Sequence, residues 1–152
     1  MSDSDLIEFE DSIEISTTED LPNINVALID DNLDVIESTL FALEDIEIHG
    51  HTLKFFNATS GTAGFDLIKD TPEIQLALID IVMETDDAGL ILVEKIRNEL
   101  KNSSIKLIIR TGQPGHFTED DIREKYQIDG YLDKASTSLD MLILTFTQAL
   151  KE

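Results

Sequence analysis

Three aspartates, a threonine and a lysine stand at or just beyond the ends of short apolar runs, and together they could carry phosphoryl chemistry. Asp30 and Asp31 follow INVALI, Asp80 follows LALI, Thr111 comes after the run ending at Ile109, and Lys134 comes after GYL. Carboxylates gathered in one place repel one another, by roughly 4 kcal/mol per pair at about 4 Å with an effective dielectric of about 20, so they need a cation or protons. Mg2+ is the simplest remedy, because it takes one or two carboxylates and fills its shell with water and phosphate oxygens. A carboxylate can also accept a phosphoryl group, given charge neutralisation and positioned donors. On this reading Asp80 attacks, and Asp30 and Asp31 hold the metal directly or through water. Lys134 pairs with Asp80 or the phosphoryl group, and Thr111 donates a hydrogen bond to a phosphoryl oxygen.

These residues can meet only if the apolar runs are neighbouring parallel strands. From Asn23 onward, short apolar runs alternate with amphipathic stretches in what reads as five βα units. Strands are expected at 24–29, 51–56, 76–79, 105–109 and 130–132. Between them, Ile36, Leu40 and Leu43 share one helical face, a second helix runs over 60–69, and Leu92, Val93, Ile96 and Leu100 mark a third buried stripe. Thr118, with Asp121 three residues on, reads as the N-cap of a short fourth helix, and Leu139, Leu142, Ile143, Phe146 and Leu150 give the last helix its stripe. Right-handed crossovers make a doubly wound α/β open parallel sheet the natural outcome, and such sheets bind ligands beyond the carboxyl ends of their strands.

Composition narrows the function classes. A net charge of −21 opposes binding to nucleic-acid phosphates. With no cysteine, disulfides, thiolate metal sites and thiol nucleophiles are excluded. No run of about 18 apolar residues is present to span a bilayer, and MSDSDLIEFE has no secretory pattern, so a cytoplasmic location with no membrane association is expected. Residues 1–22 carry Asp3, Asp5, Glu8, Glu10, Asp11, Glu14, Glu19 and Asp20 and no base, which reads as an acidic flexible tail before a domain over 23–152. Ile7, Phe9, Ile13 and Ile15 partly alternate with the acids, so a short strand or docking segment is the other reading of that tail. His49, His51 and His116 have no spacing that suggests a metal site or a relay.

Four segments in order, ALIDDN (27–32), LALIDIVMETDDAG (76–89), IIRTGQ (108–113) and GYLDK (130–134), resemble the receiver domain of bacterial two-component response regulators. METDDAG, followed by an amphipathic helix and IIRTGQPG, is similar to receivers at the front of modular signalling proteins whose outputs include cyclic-dinucleotide phosphodiesterases and kinases. The resemblance covers about residues 24 to 150. It implies a (βα)5, flavodoxin-like sheet of strand order 2-1-3-4-5, with Asp80 as phosphoacceptor. It also implies Mg2+ held by Asp30, Asp31, Asp80 and the backbone carbonyl of Val82, and a switch pair of Thr111 and Tyr131. The output face would be the fourth helix, fifth strand and fifth helix. The implied partners are a sensor histidine kinase or phosphotransfer protein, an output domain or effector protein, and a second copy as a homodimer. No turnover of an external substrate is implied.

The sequence departs from the common receiver pattern in two places. Ala135 stands where a proline usually follows the lysine, and since a cis bond without proline costs about 2.5–4 kcal/mol, a trans bond or a rearranged loop is expected. The loop after Asp80 is longer and more acidic, so Glu84, Asp86 and Asp87 can be solvated, cap the next helix by their charge, or reach the metal. Val82 is apolar and cannot orient water, which points to a long-lived phosphoryl group, with Gln113 the other position flanking water access. The alternative reading is a pseudo-receiver that binds a protein partner without phosphate. A dehalogenase-type hydrolase would want a second aspartate where Val82 stands.

Overall fold

The computed structural model describes residues 21–112 and 117–151. The acidic segment 1–20 therefore lies outside the described residues, as do Gln113 and His116. β1 (Ile24–Ile29) forms from INVALI and is buried along almost its whole length. α1 (Leu33–Leu43) starts where the Asn32 side chain accepts the Asp34 amide. Then follow β2 (Glu47–Ile48), β3 (His51–Ala58), and α2 (Gly61–Asp70), which is capped by Ser60 accepting from the Ala63 amide. β4 (Leu76–Ile79), α3 (Ala88–Asn98) and β5 (Lys106–Thr111) make up the centre. α4 (Glu119–Lys125), β6 (Gly130–Asp133) and α5 (Leu139–Ala149) complete the order, with Thr118 and Ser138 as the two N-caps.

The sheet runs β2-β3-β1-β4-β5-β6, and its five parallel strands stand in the expected 2-1-3-4-5 arrangement. The sixth strand corrects the expectation of a wholly parallel five-stranded sheet, since β2 adds an antiparallel edge through pairing of Ile48 with His51. Its turn is His49-Gly50, with φ of 52° and 82°. Two successive positive φ values are the signature of a tight primed hairpin turn, which needs glycine or another residue tolerant of the left-handed region. A two-residue strand has no periodicity to read.

Side chains of odd and even parity sort to opposite faces of the central strands. Ala27, Ile29, Ala77, Ile79, Leu107 and Ile109 pack with α2, α3 and α4, including Ile68, Leu92, Ile96 and Ile122. Val26, Leu28, Leu76, Leu78 and Ile108 pack with α1 and α5 through Ile36, Leu43, Leu142 and Phe146. The stripe expected for α3 needs one amendment, because the helix ends at Asn98 and Leu100 packs from the segment beyond it. Arg97 ties that end down by donating to the carbonyls of Asn102, Ile105 and Gln127 and to the Asp129 carboxylate. Among the described residues, no helix is long and apolar enough to cross a membrane.

Candidate functional site

The strand register brings the candidate residues to one level. Ile29 pairs with Ile79 and Ile79 with Ile109, so Asp30, Asp80 and Arg110 are the next residues on three adjacent strands. The ladder continues past the strand ends: the Asp80 amide donates to the Ile29 carbonyl at 2.9 Å, and the Lys134 amide to the Thr111 carbonyl at 2.9 Å. Thr111 is the last residue of β5 and fully buried, not a residue beyond the strand as the sequence suggested.

Asp30, Asp31 and Asp80 each present a carboxylate oxygen within 4.8 Å of the others. Asp30 and Asp80 are buried and Asp31 is exposed, so the cluster opens to solvent on one side. The Lys134 amine bridges the two buried members, at 2.8 Å from Asp30 Oδ2 and 3.0 Å from Asp80 Oδ2. The Asn32 amide donates to Asp30 Oδ1 at 2.9 Å, fixing that carboxylate from the other side. Burial pushes the Asp80 carboxyl above the ordinary carboxylate range, outweighing the hydrogen bond from Lys134, and the Asp30 charge pushes the same way. Burial opposes the charge on Lys134, but its bonds to Asp30 and Asp80 prevail and raise its pKa. The amine is a cation in this setting.

A three-carboxylate mouth of this spacing fits a hard divalent cation with oxygen ligands, in keeping with the Mg2+ expected from the sequence. The Lys134–Ala135 bond is trans, as anticipated without proline: among the described residues there is no cis peptide. The loop there is held by the Ala135 amide donating to Asp133 Oδ1 at 2.9 Å. Tyr131, on β6 opposite Ile109, is half-buried against the α2–α3–α4 core. Burial raises its phenol pKa, with the charges of Glu119 and Asp133 adding to the shift.

The acidic loop after Asp80 has a purpose that local spacing did not reveal. Glu84 reaches back to α2, accepting from the Gly61 amide at 2.7 Å, the Thr62 amide at 3.0 Å and the Thr62 hydroxyl at 3.2 Å. It caps the preceding helix, where the sequence had offered the next helix, solvent or the metal. Asp87 occupies the N-cap position of α3 but makes no side-chain bond to that helix, accepting instead from the Thr85 hydroxyl. Burial opposes ionisation of Glu84, yet the bonds from Gly61 and Thr62 prevail and hold its pKa below the ordinary value. A depressed carboxylate pKa gives stability that is present above the unfolded pKa and lost as pH falls through the folded one. Glu84→Ala is therefore expected to lower stability by about 0.5–2 kcal/mol at neutral pH, the usual worth of a cap. In urea melts this deficit should shrink as pH falls through the lowered Glu84 value, where wild type loses the same contribution.

Arg110 is a site residue that sequence reasoning passed over. Its side chain has the parity of Ile108, so it enters the α1–α5 side of the sheet, where the residue is 9% exposed. The available signal was a base inside an otherwise apolar strand, one position before Thr111. Burial lowers its pKa while the charges of Asp30 and Asp80 raise it.

No family model matches the chain. The 3'3'-cGAMP-specific phosphodiesterase 2 of Vibrio cholerae serotype O1 is 37% identical over 117 residues, which are 77% of this chain and 22% of that protein. The chain thus spans under a quarter of the length of the curated relative it matches. Among solved structures, a response regulator receiver domain protein from Clostridium thermocellum superposes with a TM-score of 0.70 at 20% identity, covering 84% of this chain and 94% of that one. The signal receiver domain of an HD domain-containing protein from Pseudomonas fluorescens Pf-5 gives 0.69 at 23% identity, with coverage of 84% and 94%. The strand order, the two helical layers and these superpositions agree: the chain has the receiver-domain fold of two-component response regulators.

Proposed function

We propose that this chain is a phosphoryl-accepting receiver of a two-component or phosphorelay system, with Asp80 as the acceptor. The observation that carries the reading is the Lys134 amine bridging Asp30 and Asp80 beside Asp31 at the carboxyl end of the sheet. In the transfer, an Asp80 carboxylate oxygen forms a bond to phosphorus while the bond from phosphorus to the donor's leaving group breaks. Asp30, Asp31, Asp80 and the Val82 carbonyl would hold Mg2+, which when bound supplies positive charge for the phosphoryl oxygens. Lys134 would neutralise the same oxygens, and the Thr111 hydroxyl would donate to one of them as Tyr131 turns inward. The donor is a sensor histidine kinase or phosphotransfer protein, and the changed face is α4, β6 and α5, offered to an output domain, an effector or a second copy.

The domain comprises residues 23–152, works in the cytoplasm, and binds neither nucleic acid nor membrane. It is a signalling module and does not turn over an external substrate. The likeness to part of a cyclic-dinucleotide phosphodiesterase supports an output of that class, in the same protein or in a partner. Apolar Val82, half-buried against the core, leaves water unoriented near Asp80 and favours a phosphoryl lifetime well beyond seconds.

The metal half of the proposal is tested by Mg2+ titration followed by NMR. Wild type should show saturable shifts at residues 30–32 and 80–82, and Asp31→Asn should weaken the affinity by about tenfold or more. Equal affinity in the two proteins would remove Asp31 from the site.

A further inference from the structure

Between α1 and α5 lies a cavity of about 350 Å3, with Arg110 and Lys134 among its lining residues. Lys134 is engaged by Asp30 and Asp80. Arg110 is not comparably engaged: among the described residues its guanidinium makes no hydrogen bond and no ion pair, although the residue is 9% exposed. Asp30 and Asp80 act on it only through their charge. A guanidinium carries five donors and stays charged, and burying it without an acceptor costs several kcal/mol. An acceptor from outside the chain would remove that penalty.

The rest of the lining restricts what the acceptor can be attached to. The hydroxyls of Ser38, Thr39 and Thr137 already donate to the carbonyls of Asp34, Val35 and Asp133, at 2.8, 2.7 and 2.6 Å. Only their lone pairs remain, and the Asp34 carboxylate adds further acceptors. Val35, Leu139 and Leu142 complete an apolar side. The volume lies in the range of small-molecule sites.

We propose that the α1–α5 cavity is a binding site for a small organic anion, with Arg110 holding its carboxylate or phosphate and the hydroxyl-lined wall accepting from hydroxyl groups on the ligand. Arg110 is suited to either anion, since its planar fork matches both in a bidentate arrangement. The cavity adjoins the phosphoryl site through Lys134, but the proposal rests on Arg110 and does not stand or fall with phosphoryl transfer to Asp80.

The test uses the full chain in EDTA, so that no metal-mediated binding at Asp80 contributes, with glycerate and glycerol phosphate as probes and propionate as the probe lacking hydroxyls. Backbone NMR should show saturable shifts in residues 34–42 and 137–142 with glycerate, glycerol phosphate or both, which also tells carboxylate from phosphate. Propionate should bind more weakly. Arg110→Gln should reduce affinity by about tenfold or more, the loss expected when a charge-assisted bidentate pair is removed. Ser38→Leu, an exposed position on α1 whose new side chain fills the cavity mouth, should do the same and keeps the test open if Arg110→Gln fails to fold. No saturation by either hydroxylated probe up to about 10 mM, the result if the cavity serves only an acidic side chain of a partner protein, overturns the assignment. So does affinity unchanged by both substitutions.

Discussion

Replacing Gly89 by alanine is expected to destabilise the protein by about 3 kcal/mol or more and to abolish phosphoryl uptake at Asp80. A Cβ at Gly89 would lie 2.0 Å from the Asp80 carbonyl oxygen and 2.8 Å from both the Asp80 carbonyl carbon and Ile81 Cα. All three are backbone atoms of the segment that carries the acceptor, so no rotamer change can relieve the overlap. The Gly89 amide also donates to the Ile81 carbonyl at 2.9 Å, which seats the start of α3 directly on that segment. Either α3 moves away and opens the core around Leu90, Leu92 and Val93, or the Asp80 backbone moves and leaves Lys134 and Asp30 behind. For a domain of this size the thermal midpoint should fall by about 6–12 °C. A midpoint within about 2 °C of wild type would show that α3 can shift without cost.

Lys134→Met carries the second large effect, and its size depends on pH. The amine joins two buried carboxylates, and removing one partner of a buried ion pair costs about 3–5 kcal/mol. Because the lysine side chain is 25% exposed, a smaller loss of about 2 kcal/mol is expected at neutral pH in EDTA. Burial already raises the Asp80 pKa, so the folded state takes up that proton more readily than the unfolded one. Stability from this group therefore falls as pH rises from the ordinary carboxylate value through the folded one. Without the lysine the folded value rises further and the window widens. The deficit of the variant should be largest near neutrality and should shrink in acid, where Asp80 is neutral in both proteins. At the alkaline end wild type should in addition lose the Lys134 contribution, which the variant lacks, as pH passes through the raised Lys134 value. Denaturant melts across the pH range check both limbs, and a deficit independent of pH would mean the lysine acts through packing alone.

Much of this site was legible in the sequence because its parts lie at the ends of strongly apolar strands. INVALI and LALI carry their own boundaries, so the strand ends at Ile29 and Ile79, and with them the positions of Asp30 and Asp80, follow directly. β5 was read two residues short because Arg110 interrupts the apolar run, although the ladder continues through Thr111. That same interruption hid the residue lining the α1–α5 cavity. The bond from Glu84 to Gly61 spans 23 residues and depends on α2 lying beside α3, a tertiary fact no local spacing encodes. The β2 hairpin was missed because its evidence is the φ of His49 and Gly50, and a His-Gly pair is a weak turn signal beside Asn-Gly.

Phosphoryl transfer to Asp80 is checked by intact mass after incubation with Mg2+ and acetyl phosphate, comparing wild type with Asp80→Asn. One added phosphoryl group is expected on wild type, absent without Mg2+ and absent from the variant. No gain in folded wild type, or an equal gain in Asp80→Asn, would contradict transfer to Asp80 and leave partner binding without phosphate as the use of this fold.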